Sequence, residues 1–142
     1  GVHAGVDLVE VPGALEIAPA IRLAADGRGY EGFVALGCIV RGETSHYETV
    51  CEESARGLTL LGVERGLPIG NGILTVETLD QAAARAAPGG HNKGGGAAAA
   101  CLHLIALARR FRGAAGGGGG LQAETLLAAG PAAPAADTST TA

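Results

Sequence analysis

With 142 residues the chain is long enough for one domain, and a 47% hydrophobic content can supply its core. A net charge of -4 with only 3% aromatic residues offers neither the basic field nor the stacking platforms that nucleic-acid binding needs. Charged residues make up only 17%, so apolar surface is in surplus and subunit contacts are expected, although alanines, cheap to expose, also suit a monomer.

No apolar run reaches the roughly 18 residues that span a bilayer, and the N-terminus lacks the charged-then-apolar order of a signal peptide. A cytoplasmic protein without membrane partners is expected. Cys38, Cys51 and Cys101 are odd in number, far apart and set in apolar stretches, which suits reduced core thiols better than disulfides or a zinc site. Methionine is absent, so the sequence does not open on an initiator residue and a stretch upstream is expected to be missing.

In chain order, Gly5 to Val11 alternates β-branched residues and stops at Pro12-Gly13, the pattern of a strand. From Glu16, the positions Ile17, Ile21, Ala24 and Ala25 have helical spacing, with Pro19 tolerated in the first turn and an end near Gly27. Phe33 to Val40 is almost continuously apolar and predicts a central strand buried on both faces. Ser45 and Glu48 have capping-box spacing. Tyr47, Val50, Cys51, Ala55, Leu58 and Leu61 then mark one face of a helix. Pro68 to Val76 predicts a third strand. Thr78 and Gln81 cap a short helix through Arg85, and after Pro88-Gly89-Gly90 a long helix from about Asn92 carries Ala97, Ala100, Cys101, Leu104, Ile105, Ala108 and Phe111 on one face. Strands alternating with helices through short connections define an α/β class with a parallel sheet covered on both sides. Residues 1–112 form that domain, and the Gly/Ala/Pro-rich 113–142 are expected to be a flexible tail.

Open parallel sheets bind ligands beyond the carboxyl ends of their strands, where following helices present unpaired N–H groups. The stretch GETSHY lies at such a place, with a glycine for close approach, the hydroxyls of Thr44 and Ser45, and a helix N-terminus that favours a phosphate. The same pattern also serves as an ordinary helix cap, and both readings stand. His46, at the mouth of the turn, is the candidate general acid/base, though a lone histidine equally serves structure. Arg85 and Lys93 are either phosphate-binding cations or a solvated surface pair. Glu16 either binds hydroxyl or ring N–H groups or favours a helix start, and Arg41 either holds the turn by an ion pair or touches ligand. His3, His91 and His103 are read as structural, and no pair of residues makes a metal site.

The blocks VPGALEI, ALGCIVRGETSHY, PIGNGILTVETLDQAAARA and GHNKGGGAA, in this order, resemble the lumazine synthase family between about Val11 and Phe111. The resemblance implies a three-layer αβα sandwich with a parallel flavodoxin-like sheet whose first strand and helix are missing from the sequence. It implies condensation of 5-amino-6-(D-ribitylamino)uracil with 3,4-dihydroxy-2-butanone 4-phosphate in riboflavin biosynthesis, without metal or organic cofactor. Ala14, Leu15 and Glu16 would then bind the ribityl and pyrimidine parts, and Cys38, Ile39 and Val40 would contact the ring. Glu43 and Thr44 would lie on the phosphate side, and His46 would transfer the proton. Arg85 would bind the phosphate. Asn71, Arg85 and Lys93 would come from the neighbouring subunit of a pentamer or a multiple of pentamers. The family's stacking aromatic lies just after the missing first strand, and Gly96 stands where an acidic residue is usual. A non-catalytic assembly or ligand-binding relative that has lost turnover with its N-terminus is the alternative.

Overall fold

The computed structural model describes residues 5–27 and 29–115; His3 and residues 116–142, which include most of the expected tail, lie outside them. A 3-10 turn, Ala14–Glu16, leads into helix α1, Ile17–Gly27. Strand β1, Phe33–Val40, is followed by α2, His46–Arg65. Strand β2, Ile69–Val76, is followed by α3, Leu79–Ala86, and α4, Lys93–Ala115.

The two strands pair in parallel, with Phe33 opposite Ile69 and Val40 opposite Val76. Phe33 N–H donates to the Pro68 carbonyl at 2.8 Å, and Arg41 N–H donates to the Val76 carbonyl at 2.9 Å. Odd-numbered residues of β1 therefore turn their backbone groups towards β2, and even-numbered ones turn them to the free edge. On β2 the parity is reversed, so Ile69, Asn71, Ile73 and Thr75 address its outer edge. Asn71 covers part of that edge itself, its Oδ1 accepting from Ile73 N–H at 3.0 Å. Such a side-chain partner blunts an edge that would otherwise invite pairing.

Helices cover the sheet unequally. On one face Ala18, Ile21, Ala35 and Leu58 form a buried cluster, with Ile17, Phe33, Leu61, Ile69 and Ile73 packed around it. This is the apolar stripe of α1 and α2 closing on the odd-numbered side chains of both strands, and it carries most of the burial. On the other face α4 meets β2 at backbone distance. A Cβ on Gly70 would stand 1.9 Å from the Ala97 carbonyl oxygen, and one on Gly72 3.0 Å from the Ala97 Cβ. Glycine on the strand and alanine on the helix let the two elements approach this closely.

Three sequence expectations need correction. Gly5 to Val11 is not a strand: it is unpaired, with Val6, Leu8 and Val9 exposed by 89%, 85% and 69%. Alternation supplies a face for a sheet but not the neighbour to pair with. In a flavodoxin-like order the second strand pairs with the first, which lies between it and the third, and no described residue supplies that first strand. The hydroxyl of Tyr30 donates to Asp7 Oδ2 at 2.5 Å, tethering the segment without a ladder. Among the described residues the sheet therefore has two strands rather than three.

Nor is β1 buried on both faces. Ala35 and Ile39 are buried, whereas Val34, Leu36 and Val40 on the α4 side are exposed by 41%, 56% and 36%. Helix α4 sits over β2 and leaves this part of β1 open. The cysteines diverge as well: all three are free, but only Cys101 is buried, with Cys51 half-buried and Cys38 exposed on that open face.

Candidate active site

The carboxyl end of β1 gathers most of the expected site residues. Cys38, Ile39 and Val40 are its last three residues, and Gly42 to Ser45 form the exposed turn that follows. His46 opens α2, its backbone N–H pointing to Thr44 Oγ1 at 3.4 Å and its side chain exposed. Helix α1 begins near the same end, because a Cβ on Gly37 would lie 3.4 Å from Ile17 Cδ1. Ala14, Leu15 and Glu16 are thus brought to the same side of the sheet as the turn. The chain forms this end simply by passing from a parallel strand into a helix, which leaves the helix's first N–H groups facing outward.

The expected capping box does not form. Ser45 sits at φ -66° and ψ 0°, without a side-chain hydrogen bond to the helix. An extended Ncap conformation is needed to aim the hydroxyl at the helix N–H groups. Glu48, its expected partner, is engaged by Arg41 instead. Arg41 Nη1 donates to Glu48 Oε1, and Arg41 Nε donates to Glu77 Oε2 at 2.7 Å. The same guanidinium lies 4.2 Å from the centre of the Tyr47 ring. Of the two sequence readings of Arg41, the structure shows the one in which it holds the turn.

This network also biases protonation. The hydrogen bond from Arg41 holds the Glu48 carboxyl below its ordinary range. Partial desolvation, followed by a hydrogen bond with Cys51, pushes the Tyr47 phenol above its own. Both side chains that follow His46 are therefore fixed in their usual charge states near neutral pH, one anionic and one neutral.

The other candidate residues lie elsewhere on the single chain. Arg85 is near the end of α3, its Nη1 donating to the Gln81 carbonyl of its own helix at 3.2 Å. Lys93 is the exposed first residue of α4. Helix α4 packs on the side of the sheet opposite α1 and α2, and α3 lies in contact with α4 and with the strands. Asn71 is five residues back from Val76, which at the rise of a strand is about 17 Å from the carboxyl end.

Asn71 lies instead beside a groove of about 520 Å³ along the outer edge of β2. That groove runs between α2 and α4 and is walled mainly by apolar side chains such as Val63, Leu104 and Phe111. A second groove of about 280 Å³ lies between α1 and α2. Neither reaches Cys38 to His46. Gly42 to His46 are all exposed on the described chain.

One site-side feature escaped the sequence reading. Asn92, with φ 45°, accepts from Gly95 N–H through its Oδ1 at 3.2 Å and caps the start of α4 beside Lys93. A Cβ on Gly95 would lie 2.5 Å from that Asn92 side chain, whose amide would have to shift to admit it. An asparagine three residues before a glycine inside a glycine run was the available signal. Among the described residues no cluster of three His, Cys, Asp or Glu side chains could hold a metal ion, and no helix is long and apolar enough to cross a membrane.

Fold and site together define a parallel α/β protein whose candidate site residues sit mainly at a strand end and on an exposed helix start. Its sequence matches the 6,7-dimethyl-8-ribityllumazine synthase family over residues 1–109, and the chain belongs to that family. It is 60% identical over 87 residues to the 6,7-dimethyl-8-ribityllumazine synthase of Beijerinckia indica subsp. indica, an alignment covering 60% of this chain and 48% of that protein. With the enzyme of the same name from a Jannaschia species it shares 56% identity over 80 residues, 56% of this chain and 44% of the relative. With 6,7-dimethyl-8-ribityllumazine synthase 1 of Rhodopseudomonas palustris it shares 54% over 87 residues, 58% and 53% of the two chains. The chain thus spans about half the length of these curated relatives.

Proposed function

We infer that this chain condenses 5-amino-6-(D-ribitylamino)uracil with 3,4-dihydroxy-2-butanone 4-phosphate to give 6,7-dimethyl-8-ribityllumazine, releasing phosphate and water. The observation that carries this reading is the exposed β1–α2 turn, with Thr44 and His46 at a strand end in a chain of this family. Joining an amine to a carbonyl requires protons to be removed from nitrogen and delivered to oxygen, and His46 is the group in reach of that end suited to both. Glu43 and Thr44, with the helix N–H groups, face the phosphate. Cys38, Ile39 and Val40 line the pyrimidine, and Ala14, Leu15 and Glu16 hold the ribityl and ring edges.

Arg85, Lys93 and Asn71 complete this site from a neighbouring copy, in a homopentamer or a multiple of pentamers working in the cytoplasm. Support comes from the single chain itself: Gly42 to His46 are exposed, and Asn71 stands five residues back along β2 from Val76. Arg85 grips the leaving phosphate bidentately, stabilising the charge that grows as it departs.

Mixing the purified chain with both substrates tests the reading, with lumazine fluorescence and released phosphate as parallel signals. Both should rise together. Assembly without either signal would replace this reading by that of a non-catalytic relative, and binding of neither substrate would remove the chain from this chemistry altogether.

A further inference from the structure

Arg41 makes more contacts than any residue of the turn, and the direct steps of the proposed reaction leave it unused. Its backbone N–H is bonded to Val76 at the end of β2, its guanidinium bridges Glu48 on α2 and Glu77 just after β2, and its central carbon lies 4.2 Å from the centre of the Tyr47 ring. Glu77 is itself tied to the start of α3, its N–H donating to Gln81 Oε1 at 2.9 Å. Tyr47 and Glu48 are the two residues directly after His46, so two of these four contacts fall on the helical turn that carries the imidazole and the other two on the end of β2. Individually such exposed ion pairs contribute little, but a planar guanidinium shared by two carboxylates and a ring restrains orientation in a way one pair does not.

We propose that Arg41 is the positioning residue of this site: by fastening the first turn of α2 to the Val76–Glu77 end of β2, it fixes where the His46 imidazole stands. The proposal rests on the catalytic reading of His46, and its test separates the two. Arg41→Gln removes the charge, Arg41→Lys keeps the charge but loses the fork and the stacking plane, and Arg56→Gln removes an unrelated ion pair on α2 with Glu53. For each, product formation and the His46 imidazole NMR signals at one fixed pH are recorded beside the parent chain.

Arg41→Gln should lower kcat about 10-fold with less than a twofold change in KM for the phosphorylated substrate, and should shift or broaden the His46 signals. Arg41→Lys should recover less than half of that loss, and Arg56→Gln should match the parent in both readouts. Unmoved His46 signals in Arg41→Gln would overturn the proposal, as would full rescue by lysine. A rise in KM with kcat intact would overturn it too, by making Arg41 a substrate ligand. If the parent chain forms no product, the catalytic reading falls, while the His46 signals of the variants still decide whether Arg41 places the imidazole.

Discussion

The seam between β2 and α4 and the turn between β1 and α2 are built on opposite terms. At the seam, side chains are missing by design: Gly70 and Gly72 let Ala97 sit against the strand, and Val76, Ala97 and Cys101 are buried around them. At the turn, Gly42 to His46 are exposed and their neighbours are held by charge and a ring contact. A close-packed seam tolerates almost no added volume but is indifferent to pH, whereas a polar turn tolerates substitution but depends on charge and geometry. The scaffold therefore rests on one kind of interaction, and the reactive surface is oriented by another.

Adding a methyl group to the seam should have the largest effect. Gly70→Ala drives its Cβ into the Ala97 carbonyl and should cost about 3 kcal/mol or more, seen as a lower midpoint in urea unfolding. A loss under about 1 kcal/mol would show that the seam can relax. Emptying the opposite face with Leu58→Ala, at a residue only 4% exposed, should cost about 3 kcal/mol in the same measurement. At the turn the pattern should invert: His46→Ala should slow product formation about 10²-fold with an unchanged urea midpoint. If stability fell instead, His46 would be structural.

Smaller is the effect of the cap on α3. Thr78 accepts from Gln81 N–H at 3.3 Å, and Thr78→Ala should cost about 1 kcal/mol. Acid should act on the polar contacts and spare the seam. Arg22, then Arg65, lower the pKa of Asp26; Arg109 lowers that of Glu31, and Arg41 that of Glu48. Folded values below the unfolded ones mean that the unfolded chain takes up protons first, so this stability is present above the unfolded carboxylate range and is lost as pH falls through the folded values. A decline in Tm beginning below about pH 4 is expected, and a Tm flat to pH 2 would mean that these pairs contribute nothing.

Legibility in the sequence followed the same division. Phe33 to Val40, the β2 strand and the α3 cap were readable because a local pattern sufficed for each: an apolar run, β-branched spacing, a threonine three residues before a glutamine. Gly5 to Val11 has an equally good strand pattern and stays unpaired, since pairing needs a neighbour that no local pattern can supply. The burial of β1 on both faces failed for a related reason: composition reports that Val34 and Leu36 are apolar, not whether a helix lies over them. Ser45 and Glu48 have the spacing of a capping box, but the stronger charged partner, Arg41, stands four residues before Ser45 and takes the glutamate. The turn itself was legible, whereas the expectation that Arg85 and Lys93 act on a neighbour's site came from the family resemblance and from no local pattern.

The proposed reaction requires His46 of one copy and Arg85 of the next to serve one site. Mixing separately inactive His46→Ala and Arg85→Ala chains, after dissociation and reassembly together, tests it directly by lumazine fluorescence. Random assembly should restore about a quarter of the parent activity, because that fraction of interfaces pairs an intact His46 with an intact Arg85. A mixture no more active than either variant alone, beside an active parent, would contradict the shared site.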